Sequence, residues 1–158
     1  MVNTSLGFEY LYIFDNGLSV GANTSFISES LLDITNTTPQ ITSDYTGNGI
    51  SFAPAIGWTF RGEVSHIQLL FYPLIMESAS YDERTITVRN VTSPKLKTET
   101  YLDTYKTGIA STFEWGWEHF KLGAGAGANL IFADNYNEKI ESAHGLEVVF
   151  MGKATILF

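Results

Sequence analysis

A two-residue alternation between large apolar side chains and small ones is the feature that most constrains how this chain folds. It recurs in seven segments and is clearest over 108–117, where Ile109, Phe113, Trp115 and Trp117 alternate with Gly, Ala, Thr and Glu. Successive side chains of a strand point to opposite faces, so this period is typical of β-strands. No segment shows a convincing helical period. The sequence therefore predicts an all-β chain.

The composition of the face that carries the small residues indicates whether that face meets water or the interior of a barrel. It holds mostly Gly, Ala, Ser and Thr, with four isolated charges at Glu9, Glu114, Lys121 and Lys153. A surface in contact with water carries many more charges, whereas the narrow interior of a small barrel must be filled by small and polar side chains. We therefore expect the large apolar side chains to point outward and the four charges to face the lumen.

Aromatic residues and connection lengths agree with a barrel that crosses a membrane. Short turns, such as the one at Asn16-Gly17, alternate with long polar segments at 31–49, 77–100 and 133–145, which we interpret as extracellular loops. Aromatic girdles beside a lipid-facing apolar band are typical of transmembrane β-barrels. The predicted girdle residues are Trp58, Phe60, Trp115, Trp117, Phe120 and Phe158.

The last strand, VVFMGKATILF, places Phe150, Ile156 and the terminal Phe158 on one face. With the hairpin pattern, it resembles the C-terminal strand of small bacterial outer-membrane β-barrels of the OmpA/OmpX-like and opacity-protein-like kind. The resemblance implies that this strand is an assembly signal for the barrel-assembly machinery. It also implies one antiparallel up-and-down transmembrane β-barrel domain over 1–158, of about eight strands, porin-like in architecture and surrounded by the outer-membrane lipid of a Gram-negative cell.

Only seven strands of membrane length are recognisable in the sequence. Three explanations fit: a chain truncated at its N-terminus, the C-terminal part of a larger barrel, or an eighth strand within 83–98. Arg84 and Arg89 make the third costly in lipid, and we favour a missing N-terminal strand. Pro54 and Pro73 interrupt two strands that have no free edge in a closed barrel, so we expect β-bulges beside them.

The four lumen charges are expected to form an ion-pair network rather than a catalytic site. Glu114 and Lys121 face the same lumen on paired strands, and Lys153 should lie beside Glu9 once the barrel closes. A buried charge is tolerated only when it is paired, so such a network is expected in any narrow barrel. The three histidines are far apart in the sequence. No enzyme activity, metal or cofactor is therefore predicted.

The predicted function is surface interaction, adhesion or envelope integrity, with a host or surface ligand bound at the protruding loops. One alternative is a narrow channel or transporter for small or hydrophobic solutes, because the inner side of the fourth strand is apolar. A soluble lipocalin-like barrel is the second alternative. The inner residues concerned are Leu70, Tyr72, Leu74 and Met76.

The amino-acid composition and one outward row of alanines indicate which partners this chain can have. A net charge of −8, with only 9 Lys and Arg residues, argues against nucleic acid. The absence of cysteine excludes disulfides and thiol chemistry. Ala124, Ala126 and Ala128 form an outward stripe that suits lipid contact or self-association.

Overall fold

The structure, a computed structural model, describes residues 2–35, 41–88, 91–92, 99–136, 139–141 and 145–157. These residues form nine β-strands and no helix, which confirms the predicted all-β, antiparallel class. Within the described ranges, no helix is long and apolar enough to span a membrane. The strands are β1 (Val2–Ile13), β2 (Leu18–Thr35), β3 (Ile41–Arg61), β4 (Ser65–Val88), β5 (Val91–Thr92), β6 (Glu99–Gly116), β7 (Phe120–Tyr136), β8 (Lys139–Glu141) and β9 (Gly145–Ile156).

All nine strands belong to one sheet that curves into a half-barrel. Seven are long and pair antiparallel in the order β1-β2-β3-β4-β6-β7-β9, while the short β5 and β8 pair with the far ends of β4 and β7. No ladder joins β1 to β9 in the described part of the chain. These two strands are therefore the edges of the half-barrel.

The strands run much further than the alternation suggested. The segments 31–49, 77–100 and 133–145, expected as loops, are mostly strand where they are described, because β3 begins at Ile41, β4 ends at Val88 and β6 begins at Glu99. The pairing of β2 with β3 continues without interruption to Thr35 and Ile41. Polar Thr, Ser and Asn residues satisfy the same backbone ladder as apolar ones, so polarity alone did not mark the strand ends. We call this end of the sheet the extended end.

The opposite end, which we call the turn end, is closed by tight hairpins. At the first of them Gly17 has φ +86°, a left-handed conformation that favours glycine. The side chain of Asn16 accepts a hydrogen bond from the backbone N–H of Leu18 at 3.0 Å. The carbonyl of Gly17 accepts one from Thr59 on β3 at 2.8 Å. The Asn-Gly pair therefore sets both the turn and its docking on the neighbouring hairpin.

The two faces of the sheet differ in polarity in the direction that the sequence predicted. Large apolar side chains are exposed on the convex, outer face, for example Phe8 at 70% and Phe150 at 82% of their surface. The concave, inner face buries small and polar side chains, and its largest fully buried residues include Glu114 and Lys121. The sheet thus has an apolar outside and an ionic inside.

The two prolines lie in one interruption of the strand ladders, as predicted. The β3–β4 register breaks between Phe52 and Ile56, and the β4–β6 register breaks between Tyr72 and Ile75. In both cases β4 carries one residue more than its neighbour. Proline has no N–H to donate, so a bulge at this point costs little pairing.

The bulge in β4 reverses which side chains face inward beyond it. Leu70 is buried on the inner face before the bulge, but Met76 is 39% exposed on the outer face after it, and Glu77 points inward. A shift of one residue exchanges the two faces of a strand. The expectation that Met76 continues the inner apolar surface is therefore wrong.

Candidate functional site

The inner face holds two groups of ion-paired side chains, one near the turn end and one nearer the extended end. We call the first the basal cluster; it consists of Glu9, Gln68, Tyr72, Glu114 and Lys153. We call the second the upper cluster; it consists of Glu77, Lys106, Asn129 and Glu147.

In the basal cluster, Lys153 on β9 is the central cation. Its Nζ lies 2.5 Å from Oε1 of Glu9 on β1 and 3.2 Å from Oε1 of Glu114 on β6. It also donates to the side-chain oxygen of Gln68 on β4. Tyr72 donates its hydroxyl to Oε2 of Glu9 at 3.0 Å. One lysine therefore joins side chains from the two edges and the middle of the half-barrel.

Glu114 is the most deeply buried charge of this group, with 0% of its surface exposed. Its carboxylate has no hydrogen bond within the described residues, so the nearby ammonium of Lys153 is its compensation there. His66 lies opposite Glu114 in the β4–β6 register and is also buried. The partner expected for Glu114, Lys121, is 1% exposed, and its Nζ donates to the backbone oxygen of Trp117 at 3.3 Å. The structure thus brings Glu9, Glu114 and Lys153 together and places Lys121 just beyond them.

Alternating glycines on β7 make room for this cluster. A Cβ added at Gly123 would lie 2.7 Å from Cγ of Glu114, and one added at Gly125 would lie 2.5 Å from Cγ2 of Thr112. Both distances are too short for real carbon contacts, so larger residues would displace the inner side chains of β6. The alternating glycines of the run GAGAG at 123–127 therefore leave the space that Glu114 and Thr112 occupy.

The upper cluster was not anticipated from the sequence. Lys106 on β6 lies 2.8 Å from Glu77 on β4 and 3.2 Å from Glu147 on β9. Asn129 on β7 donates to the same Glu147 oxygen at 3.0 Å. Lys106 continues the alternation that places Gly108 and Ala110 on the inner face. This alternation is the one feature of the sequence that could have predicted an inward lysine here. Glu77 was hidden because the bulge moves it to the inner face.

These two clusters place paired charges on the inner face at two levels. Within the residues that the structure describes, no three His, Cys, Asp or Glu side chains are arranged to hold a metal ion. Each cluster pairs one lysine with two carboxylates, a charge pattern that fixes strands relative to one another. The arrangement links strands of the half-barrel to one another through their inner side chains.

The outer face carries the predicted aromatic residues. Trp58, Phe60, Trp115, Trp117 and Phe120 are exposed and lie near the turn end. On β9, Phe150 and Ile156 also point outward, whereas Phe158 lies outside the described residues. These aromatic side chains form a belt around one end of the apolar band.

Two of the three alanines of the stripe line a shallow depression on the outer face. The depression has a volume of about 680 Å³ and includes Ala126, Ala128 and Ser111. Larger side chains of the neighbouring strands, among them Trp58 and Phe71, bound it. It is open to the surroundings of the sheet and is lined mainly by apolar atoms.

No protein-family model matches this chain, and no curated protein is significantly similar to it in sequence.

Proposed function

We propose that this chain is an outer-membrane β-barrel protein whose interior is closed by ion pairs and whose long strand extensions act at the cell surface. The role proposed for the extensions is surface interaction, adhesion or envelope integrity. One observation carries the membrane assignment: the apolar side chains are outside and the charged ones inside. This is the reverse of a water-soluble barrel, and it argues against the lipocalin-like alternative.

The height of the outer apolar band supports the same assignment. On β3 the band runs from Phe60 to Ile50, ten residue steps, which is about 33 Å along the strand and about 25 Å along a barrel axis for strands tilted by about 40°. Beyond it, Ser28, Asn48 and Ser80 are paired with one another across three adjacent strands and are exposed outward. The change from apolar to polar at one level is the boundary expected of a bilayer.

The strands are longer than a membrane crossing requires. A strand needs about 9–11 residues to cross the hydrocarbon core. β3 has 21 residues and β4 has 24. Roughly half of each strand therefore extends beyond the band, on the side opposite the short turns. In the proposed orientation these extensions stand on the cell surface.

Lipid contact is tested by tryptophan fluorescence in vesicles. Trp58, Trp115 and Trp117 are all exposed on the outer face near the turn end. Lipids brominated at shallow acyl positions are expected to quench their emission strongly, and lipids brominated at the chain ends more weakly, since the belt lies at the interface. Emission that no brominated lipid quenches, together with a soluble monomer in the absence of detergent, would reject the membrane assignment.

A matched pair of arginine substitutions tests the boundaries of the band. Ala126→Arg lies at mid-band and is expected to lower the free energy of unfolding from vesicles by about 2–4 kcal/mol, whereas Ser28→Arg, above the band, should cost about 0–1 kcal/mol. Urea titration of the folded fraction measures both. Equal costs at the two positions would contradict the proposed level of the membrane.

The channel alternative is tested by conductance in planar bilayers. The paired charges of the two clusters occupy the inner face at two levels, so we expect no discrete openings. The conductance of the unaltered chain is compared with that of a triple variant that removes the charges of the upper cluster. This variant carries Glu77→Ala, Lys106→Ala and Glu147→Ala. Regular openings by the unaltered chain would favour the channel function.

The role of the extensions is tested by shortening one hairpin without changing the band. Ser30 pairs with Thr46, so residues 31–45 can be replaced by Asn-Gly with the register kept. Cells displaying the shortened chain are expected to lose attachment to host-cell layers or to one another, while folding in the membrane is unchanged. Unchanged attachment and unchanged detergent resistance of these cells would count against the proposed surface role.

A further inference from the structure

His66 and Glu114 are two buried ionisable groups that lie side by side on the inner face. They are directly opposite each other in the β4–β6 register. His66 is 5% exposed and Glu114 is 0% exposed. Within the described residues, Nδ1 of His66 and both carboxylate oxygens of Glu114 have no hydrogen-bond partner. Buried polar groups are nearly always paired, so two such groups in one place point to a role.

His66 lies just outside the apolar band, at the turn end. It pairs with Arg61, one residue beyond Phe60, where the band begins on β3. In the proposed orientation, protons therefore reach this level from the water at the turn end.

Charged groups on four other strands act on His66. Glu114 on β6 is the carboxylate among them. The cations are Lys121 on β7, Arg61 on β3 and Lys153 on β9. Burial lowers the pKa of His66 most, Lys121 lowers it next, and the pKa stays below its usual value although Glu114 raises it. The folded chain therefore keeps this imidazole neutral near pH 7.

A bound molecule does not fit between His66 and Glu114. Their three unpartnered atoms have almost no accessible surface, so a molecule the size of water has no space beside them. The ammonium groups of Lys121 and Lys153 also repel a metal ion from the same ligands. A proton is the species that needs no space of its own.

We infer that His66 is an acid-sensitive element that, on protonation, binds Glu114, draws this carboxylate away from Lys153 and loosens β9 from the inner face. The imidazolium supplies an N–H to a carboxylate that has none within the described residues. Oε1 of Glu114 lies 3.2 Å from Nζ of Lys153, which reaches it across β7. His66 is on the adjacent strand, so a charged imidazole competes with Lys153 for the same oxygen atoms.

The direction of the pH effect follows from where the proton binds more readily. The folded chain holds His66 neutral, whereas the unfolded chain binds a proton at the ordinary histidine pKa of about 6.5. The stability that His66 contributes is therefore complete above that pH. It is lost as the pH falls below about 6.5, until the folded chain also takes up the proton.

Urea titration at pH 7.5 and pH 5.0 tests this effect, in detergent micelles or in vesicles. The unaltered chain is compared with His66→Gln, and His119→Gln is the matched control because His119 is exposed in the turn between β6 and β7. A histidine held neutral on folding raises the unfolding equilibrium constant by up to about thirtyfold over this range. We expect about five- to thirtyfold more acid sensitivity in the unaltered chain and in His119→Gln than in His66→Gln.

Hydrogen exchange of the β9 backbone amides tests the loosening itself. After correction for the intrinsic exchange rate at each pH, protection of β9 should fall several-fold on acidification in the unaltered chain and stay constant in His66→Gln. A chain that carries His119→Gln and His144→Gln keeps a single imidazole, whose NMR signals follow its protonation directly. In that chain, Glu114→Gln should move the titration midpoint to lower pH, because it removes the carboxylate that favours the imidazolium.

Two results would overturn the inference. Equal acid sensitivity of His66→Gln and His119→Gln shows that His66 does not couple proton binding to folding. A midpoint that Glu114→Gln leaves unchanged, or β9 protection that does not fall, shows that the proton at His66 does not act through Glu114. Acid sensitivity of the basal cluster is independent of the surface role proposed for the extensions, so either result leaves that role to its own test.

Discussion

The basal and upper clusters contain the same charged groups but connect different sets of strands. Each surrounds one lysine with two glutamates, but Lys153 joins the opposite edges of the sheet, whereas Lys106 joins β4, β6 and β9 on one side of it. Their burial also differs, since Glu114 is fully buried and the side chain of Glu147 keeps 25% of its surface exposed. The cost of breaking each cluster should follow these differences.

The comparison shows that equal composition does not mean an equal structural role. The basal cluster holds the curvature of the half-barrel, because it spans strands that share no backbone ladder. The upper cluster reinforces strands that are already paired or separated by one neighbour. Four substitutions or deletions separate the two roles, and they are described in order of decreasing expected effect.

Deleting Leu74 should have the largest effect, because it removes the extra residue of the β4 bulge. The strand beyond it would then exchange faces, which turns Glu77 outward and Met76 inward and leaves Lys106 without its nearest carboxylate. We expect failure to fold in vesicles, measured as loss of the folded band in unheated gel electrophoresis. Replacing Leu74 by Ala keeps the length and should fold. Normal folding of the deletion variant would contradict the role given to the bulge.

Lys153→Met should cost about 3–5 kcal/mol of unfolding free energy, since it leaves Glu9 and the fully buried Glu114 uncompensated. Urea titration in vesicles measures the loss. Adding Glu9→Gln and Glu114→Gln to the same chain should restore most of it, because no buried charge then remains unpaired. A loss below about 1 kcal/mol, the range of exposed pairs, would show that the basal cluster does not brace the sheet.

Lys106→Met should cost less, about 2–3 kcal/mol, because its partners are partly exposed and its strands are held by ladders. The same titration compares it directly with Lys153→Met. If Lys106→Met lowers the free energy of unfolding more than Lys153→Met does, the set of strands that each lysine connects does not determine its contribution to stability.

Tyr72→Phe should have the smallest effect of the series, about 1.5 kcal/mol, from the lost hydrogen bond to the Glu9 carboxylate. The control is Tyr10→Phe on the outer face, where 76% of the residue is exposed and a change within about 0.5 kcal/mol is expected. Equal effects at the two tyrosines would show that the hydrogen bond from Tyr72 to Glu9 does not stabilise the basal cluster.

Sequence reasoning recovered the features that depend on a period of two. The strand class, the outward apolar face and the bulge beside Pro54 and Pro73 all follow from side-chain alternation and the missing proline N–H. The proximity of Lys153 to Glu9 was also anticipated from a closed sheet.

The remainder depended on information that alternation does not carry. The sequence could not show which side chains of β4 face inward beyond the bulge. Leu74 and Met76 are both apolar, so the alternation fits either assignment of faces. Only the three-dimensional register shows that Glu77 turns inward. The strand extensions were hidden by their polar composition. The upper cluster was missed for both reasons together.

The ion pair between Lys153 and Glu9 joins residues 144 positions apart in the chain. Contacts of such long separation form late, because the intervening chain must be ordered first. Until β9 is in place, Glu9 and Glu114 lack the cation that compensates them, and the unfinished sheet carries an electrostatic penalty. The last strand thus delivers the cation that pairs with both glutamates, so the inner face gains its charge balance only when β9 is in place.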